Sequence, residues 1–160
     1  MIRTLLILAV LSILTSGCAS HPRARLAAEY PEEQTRVQRR LQEIFDAVEK
    51  KDFPRLESYH FYGPKFTKFS PETAGRLEAD AARKGEREGL AGINGLSMRA
   101  EDLKIDVFGD AAIATFLFRY SFKGAADTIQ KQALATLVFV NDGGEWKITH
   151  EHFSTPKGSP

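Results

Sequence analysis

The spacing of apolar residues changes along the chain, from a helical period in the first half to strand-like alternation in the second. Over residues 31–51 apolar side chains recur every three or four positions, which predicts one apolar stripe on a helix that begins at Pro31. A short second helix is predicted over residues 55–59. Ser70 and Pro71 provide an N-cap and a first helical position, which predicts a third, mostly exposed lid helix over residues 70–89.

Four strands are predicted in the second half of the chain. They span residues 96–108, 111–122, 128–140 and 146–153. Because short loops join them, and Asn141-Asp142-Gly143-Gly144 is a strong hairpin signal, we expect an antiparallel meander. Two of these strands are apolar on both faces, whereas a sheet with one wet face alternates between apolar and polar positions. We therefore expect a homodimer in which a second copy covers the sheet.

The last strand carries the most distinctive pattern, Trp-Lys-Ile-Thr-His-Glu-His-Phe-Ser. Side chains two apart in a strand point to the same face. Strict alternation therefore places Trp146, Ile148, His150, His152 and Ser154 on one face. This arrangement predicts a core that opens into a polar pocket lined by the two imidazoles.

Length and composition indicate a single domain and argue against a nucleic-acid partner. A chain of 160 residues with 42% hydrophobic content suits one soluble domain, which we place at residues 31–155, followed by a tail at 156–160. The 22 basic and 21 acidic side chains nearly cancel, so no nucleic-acid partner is predicted.

The first residues predict export and lipidation. Arg3 precedes a short apolar run over residues 5–14, too short to span a membrane, and the following Leu-Thr-Ser-Gly-Cys resembles the lipobox of bacterial lipoproteins. We predict a signal peptide at residues 1–17, acylation of Cys18, and a tether at residues 18–30. Ala19 favours the outer membrane, facing the periplasm of the cell envelope. The alternative is an ordinary secretory signal with an incidental cysteine.

The helix-then-sheet order and the last strand pair resemble the SnoaL-like branch of the nuclear-transport-factor-2-like superfamily. The resemblance covers about residues 32–155, and its most specific part is Thr136, Val138 and Phe139, an Asp-Gly turn, and the Trp-x-Ile-x-His-x-His-x-Ser strand. It implies an α+β fold, in which N-terminal helices pack on a curved antiparallel sheet to form a cone with an internal pocket, commonly as a dimer. Related members often carry an arginine facing that pocket where this chain has Leu134.

Six residues are candidates for binding an unknown small molecule. They are His150, His152, Trp146, Tyr120, Arg119 and Tyr62. An imidazole titrates near neutral pH, so His150 or His152 is a candidate general base, with a purely structural role as the alternative. Arg119 interrupts an apolar strand and must find a partner, either an anionic ligand or a structural contact, meaning a salt bridge or a dimer contact. No metal site is predicted, because His-x-His lacks a third ligand, and no cofactor is predicted.

Three functions remain open at this point. The first is a lipid-anchored, noncatalytic domain that binds a small molecule or a protein partner. The second is a cofactor-independent isomerase, dehydratase or cyclase that uses a pocket histidine as general base. The third is a structural dimer on the periplasmic face of the envelope. Fold alone does not choose among them.

Overall fold

A computed structural model describes residues 26–158. The predicted signal peptide, Cys18, most of the tether and the last two residues of the tail lie outside these residues. Within residues 26–158, no helix combines the length and the hydropathy that crossing a membrane requires.

Between residues 31 and 158 three helices precede or flank the sheet, and the first two match the prediction. Helix α1 spans Pro31–Glu49, with a proline in its first turn, and α2 spans Phe53–Ser58, capped by the Asp52 side chain. Helix α3 spans only Ala79–Ala91, so the prediction that a helix begins at Ser70 is wrong. The Ser70 carbonyl accepts the backbone N–H of Thr73, which closes a turn and leads the chain into a short strand instead.

The sheet has six strands. They are β1 (Thr67–Phe69), β2 (Leu77–Glu78), β3 (Ser97–Val107), β4 (Ala111–Lys123), β5 (Thr128–Asp142) and β6 (Glu145–Ser154). Their spatial order is β2-β1-β6-β5-β4-β3, and the four long strands form the predicted antiparallel meander. Strand β1 adds to the edge of β6 in parallel, so the complete sheet is mixed.

The core lies between α1 and one face of the sheet, which we call the inner face. Buried residues of α1 recur at the predicted stripe and include Val37, Leu41 and Phe45. The Phe45 ring packs on Phe116 and Phe118 of β4, with ring centroids 6.1 and 5.7 Å apart. The opposite, outer face carries partly exposed apolar residues.

A β-bulge in β6 corrects the predicted alternation of the last strand. Phe139 pairs with Ile148 but its neighbour Val138 pairs with His150, so Thr149 is an extra residue in β6. After the bulge, Glu151 and Phe153 point to the inner face with Trp146 and Ile148. His150 and His152 therefore lie on the outer face. The prediction that they share a face with Trp146 is wrong.

Candidate functional site

Five polar side chains from four parts of the chain meet at the inner face, next to β1. We call them the buried charge cluster. It consists of His60, Tyr62, Lys68, Glu86 and Glu151. His60 and Glu151 are buried, and the side chains of Lys68 and Glu86 are each 14% exposed. Charged groups are buried at this level only when they pair with one another.

The backbone brings the cluster together through three local arrangements. In the parallel β1–β6 pair, Lys68 lies opposite Glu151, so both point to the inner face. The backbone of Ile148 bonds to the segment after α2, accepting from Phe61 and donating to Tyr59, which holds His60 beside β6. On α3, Glu86 follows the buried Ala82 by four residues and thus lies on the same helix face.

His60 faces hydrogen-bond acceptors at both ring nitrogens. Nδ1 lies 2.9 Å from the Leu56 carbonyl oxygen, and Nε2 lies 3.4 Å from Glu151 Oε1. Because a carbonyl and a carboxylate only accept, the two contacts together favour the imidazolium form. Burial disfavours that charge, but the contact with the Glu151 carboxylate outweighs it and raises the pKa of His60.

Lys68 bridges the two carboxylates of the cluster. Its Nζ lies 2.7 Å from Glu151 Oε2 and 2.5 Å from Glu86 Oε1. The contact with Glu151 is an ion pair outside hydrogen-bond geometry, which leaves that buried oxygen without a hydrogen bond. Burial alone would raise the pKa of Glu151, yet the charges of Lys68 and His60 hold it well below its ordinary range.

The pKa of Glu86 is shifted in the opposite direction from that of Glu151. Burial, followed by the nearby Glu151 charge, raises the pKa of Glu86 despite its contact with Lys68. The Tyr62 hydroxyl donates to Glu86 Oε2 at 2.8 Å, and burial together with the Glu86 charge raises the pKa of Tyr62. The carboxyl group of Glu86 is therefore the one that most readily accepts a proton in the cluster.

A metal ion would find three candidate ligands in this cluster, one imidazole and two carboxylates. Atoms of His60, Glu86 and Glu151 lie within 4.8 Å of one another, a spacing that a divalent cation could bridge. The ammonium group of Lys68 already contacts both carboxylates. The position between them is thus filled by a cation of the protein itself.

A row of aromatic rings on the inner face leads away from the cluster. Phe118 packs against Phe153 at 5.7 Å and against Tyr120 at 5.0 Å, and Tyr120 packs against Phe122 at 6.5 Å between centroids. All four rings are only half-buried. Lys68 Nζ lies 5.5 Å from the centre of the Phe153 ring, so the row ends at a positive charge.

The outer face carries the two histidines of the last strand. Thr67 Oγ1 lies 2.8 Å from His150 Nδ1, and Phe69 packs near both His150 and His152. Partial burial, followed by the neighbouring His152, lowers the pKa of His150. The two imidazoles are thus separated by the sheet from the buried charge cluster.

Arg119 and Leu134 also lie on the outer face. Arg119 forms an ion pair with Glu101 of β3 and donates to the side-chain oxygen of Gln132 at 2.9 Å. This is the structural pairing that the sequence left as one of two possibilities. Leu134 is 50% exposed and lies between the buried Ala133 and Ala135, so the expectation that position 134 faces an inner pocket is wrong.

The remaining predicted residues lie on the inner side of the sheet. Tyr62 belongs to the buried charge cluster, and Tyr120 belongs to the aromatic row. Trp146 is 2% exposed and its indole N–H donates to Glu33 at 2.7 Å, which lowers the pKa of that carboxyl group. Trp146 also borders a separate surface groove of about 230 Å³ beside the arginines of α1.

The sequence alone did not identify Lys68, Glu86 or Glu151 as site residues. Strict alternation puts Glu151 on the outer face, and Glu86 belongs to a helix whose charges suggest a solvated surface. The one local signal for Glu86 is the four-residue spacing from Ala82. Lys68 meets Glu151 through the parallel β1–β6 pairing, which joins strands distant in sequence and has no local sequence signal.

Comparisons with known proteins identify both the family of this chain and its fold. The family model for the SnoaL-like domain matches residues 37–158. None of the functionally curated proteins matches the chain. A provisionally named dehydratase of the nuclear-transport-factor-2-like family from Streptomyces avermitilis is 19% identical, with a TM-score of 0.71 over 79% of this chain and 99% of that chain.

Two further solved structures have the same fold with different descriptions. A nuclear-transport-factor-2-like protein of unknown function from Pseudomonas putida is 19% identical, with a TM-score of 0.70 over 81% of this chain and 90% of that one. The association domain of CaMKII from C. elegans is 22% identical, with a TM-score of 0.68 over 78% and 97%. The family match covers most of the chain, and these structures share its helices and curved sheet. The chain belongs to the SnoaL-like domain family, and it has the fold of these nuclear-transport-factor-2-like proteins.

Proposed function

We propose that this chain is a lipid-anchored protein of the bacterial envelope whose SnoaL-like domain binds a small organic molecule on the inner face and does not transform it. The observation that carries the proposal is the aromatic row ending at Lys68. Half-buried rings of Phe118, Tyr120, Phe122 and Phe153 offer an apolar surface that its own chain covers incompletely. An apolar surface with a few polar groups at one end is typical of small-molecule sites.

The titratable groups beside this surface support binding without catalysis. A general base must be free to reach a substrate proton. Both nitrogens of His60 already have acceptors, and Glu151 is fully engaged with Lys68 and His60. The lowered pKa of Glu151 makes it a weak base. His150 and His152 lie across the sheet, so a ligand on the inner face is out of their reach.

A second copy of this chain is the partner that the outer face suits best. Ile113 and Leu134 are 37% and 50% exposed there, and each lies opposite another apolar residue on the neighbouring strand. Charges on this face pair within the same copy, as Arg119 does with Glu101 and Lys104 with Asp106. An apolar surface of this kind can pack against the same surface of its own copy across a two-fold axis. The likeness to association domains of other proteins is compatible with this arrangement.

The proposed binding is tested with a neutral aromatic probe, 2-naphthalenemethanol, titrated into the protein by NMR. We expect Tyr120→Ala to weaken binding by about tenfold, because it removes one ring of the aromatic row. Leu117→Ala is the matched control, since Leu117 lies on the same strand but on the outer face. Equal affinity in the two variants, or no binding to the wild type, would contradict the proposal.

A second candidate function is enzymatic, and Glu86 is the observation that favours it. A buried carboxyl group with a raised pKa beside a tyrosine hydroxyl is suited to general acid–base chemistry on a carbonyl compound. An isomerase or dehydratase would then use Glu86 rather than a histidine. The test is deuterium exchange at the carbon next to the carbonyl of 2-tetralone in D2O. Exchange that is faster than in buffer and lost in Glu86→Gln would establish this alternative; the binding proposal predicts the buffer rate.

A further inference from the structure

We infer that Glu86 occupies the position of a ligand carboxylate, so that the inner face takes aromatic carboxylates when α3 moves Glu86 away from Lys68. This inference rests on the proposed binding function and names its ligand class. Lys68 Nζ contacts one carboxylate oxygen of Glu86 at 2.5 Å, and the Tyr62 hydroxyl donates to the other at 2.8 Å. Two donors on the two oxygens of one carboxylate form a ready-made carboxylate site.

The position of this site fits a ring-bearing acid. Lys68 Nζ lies 5.5 Å from the centre of the Phe153 ring, where the aromatic row begins. A ligand whose carboxylate replaced that of Glu86 would direct its rings toward Phe153 and Phe118. The Lys68 side chain is 14% exposed, so part of this side chain reaches the surface.

The charges of the cluster explain why a carboxylate would replace Glu86 rather than Glu151. The cluster holds Lys68 and the His60 imidazolium against two carboxylates. Withdrawing Glu86 leaves two positive groups facing Glu151 alone, an imbalance that a ligand carboxylate corrects. Glu151 cannot leave, because it lies within β6 and is buried between His60 and Lys68.

Helix α3 is weakly attached, which allows Glu86 to move. Of its thirteen residues only Ala82 is fully buried, and its N-cap makes no side-chain hydrogen bond. Gly85 and Gly89 lower its intrinsic stability further. Apart from Glu86, its polar attachments include exposed pairs such as Arg87 with Glu57, which contribute little.

The inference is tested by calorimetry with 2-naphthoate and the neutral 2-naphthalenemethanol. Glu86→Gln removes the competing charge, and Glu86→Ala also opens its space. We expect both variants to bind 2-naphthoate about tenfold more tightly than the wild type does, with the alcohol unchanged. Glu88→Gln, an exposed change on the same helix, is the control and should alter neither affinity. Circular dichroism establishes that each variant is folded.

The possible failures separate the inference from the proposed function. If Glu86→Gln changes the affinities for both probes equally, or does not change that for 2-naphthoate, the inference is overturned while binding on the aromatic row stands. If neither probe binds any variant in a way that depends on Tyr120, the proposed function itself fails. In the Glu86→Ala background, Lys68→Gln should abolish the preference for 2-naphthoate; a preference that persists would exclude Lys68 as the carboxylate partner.

Discussion

Ile148 and His150 are two residues apart in β6 and lie on opposite faces of the sheet. The bulge at Thr149 causes this, since Phe139 pairs with Ile148 whereas Val138 pairs with His150. Ile148 is fully buried in the core, and His150 contacts Thr67 on the outer face. The same bulge turns Glu151 inward, where it meets Lys68 and His60. The inner face therefore presents carboxylates, a lysine and one histidine rather than a pair of histidines.

Replacing Glu151 with Gln should destabilise the fold strongly. The change removes one charge from a buried group and leaves Lys68 and His60 facing an amide, a loss of about 3–5 kcal/mol in the free energy of unfolding. Glu145→Gln is the matched control, because Glu145 pairs with Arg40 at an exposed position and should cost roughly 0–1 kcal/mol. Urea unfolding of both variants measures the difference. Similar losses in the two variants would refute the role of Glu151.

The free energy of unfolding should fall as pH rises above 6.5. The pKa of His60 is raised in the folded chain from its ordinary value of 6.5. Its stabilisation is therefore complete below pH 6.5 and is lost as pH rises through the folded-state pKa. Glu86, whose pKa is also raised, acts in the same direction from pH 4.5 upward. The lowered pKa of Glu151 acts oppositely, giving stability that is lost only in acid.

Comparison of wild type with His60→Gln isolates the histidine's part of this pH dependence. Urea unfolding between pH 6.5 and about 9 should give a shallower loss in the variant, because its side chain does not titrate. His152→Gln, which changes an exposed histidine on the outer face, is the matched control for replacing a histidine. An unchanged slope in His60→Gln would mean that His60 is not charged in the folded protein.

Leu134→Glu should weaken the proposed dimer. A two-fold interface would contain one new carboxylate from each copy. We therefore expect the dissociation constant of the dimer to rise by about tenfold or more. Leu26→Glu is the control, since Leu26 is 67% exposed and precedes α1. Sedimentation equilibrium measures both. A wild-type monomer at all concentrations would contradict the dimer, as would equal association in the two variants.

Cys18→Ser should release the protein from the membrane into the soluble periplasmic fraction. Acyl chains contribute about 0.8 kcal/mol for each buried CH2, and the variant has no thiol to carry them. Cell fractionation measures the distribution. Continued membrane partitioning of the variant would refute lipidation at this residue.

The predicted helices and meander followed from local patterns, which is why α1 and the four long strands agree with the structure. The apolar stripe of α1 and the Asn-Asp-Gly-Gly turn each depend only on neighbouring residues. Ser70 and Pro71 were misleading for the same reason, because the signal that opens a helix also suits a turn. In the fold, the pairing of β2 with β1 favours the turn at Ser70 over a helix.

The site could not be predicted to the same extent, because it depends on contacts distant in sequence. Tyr120, a candidate binding residue from the sequence, lies in the aromatic row of the inner face. The bulge at Thr149 has no local sequence signal, and a single extra residue exchanges the faces of Glu151 and His152. Lys68 and Glu151 are brought together by the pairing of two parallel strands that most of the domain's sequence separates.

The most direct test of the proposed binding at the inner face is native mass spectrometry. The protein is purified for this from the envelope of the cells that naturally produce it. We expect the wild type to retain a small molecule that is released on denaturation, Tyr120→Arg to lack it, and Leu117→Ala to keep it. The charged arginine would interrupt the aromatic row, whereas Leu117 lies across the sheet. A wild type that carries no small molecule, or equal amounts in all three proteins, would contradict binding at this face.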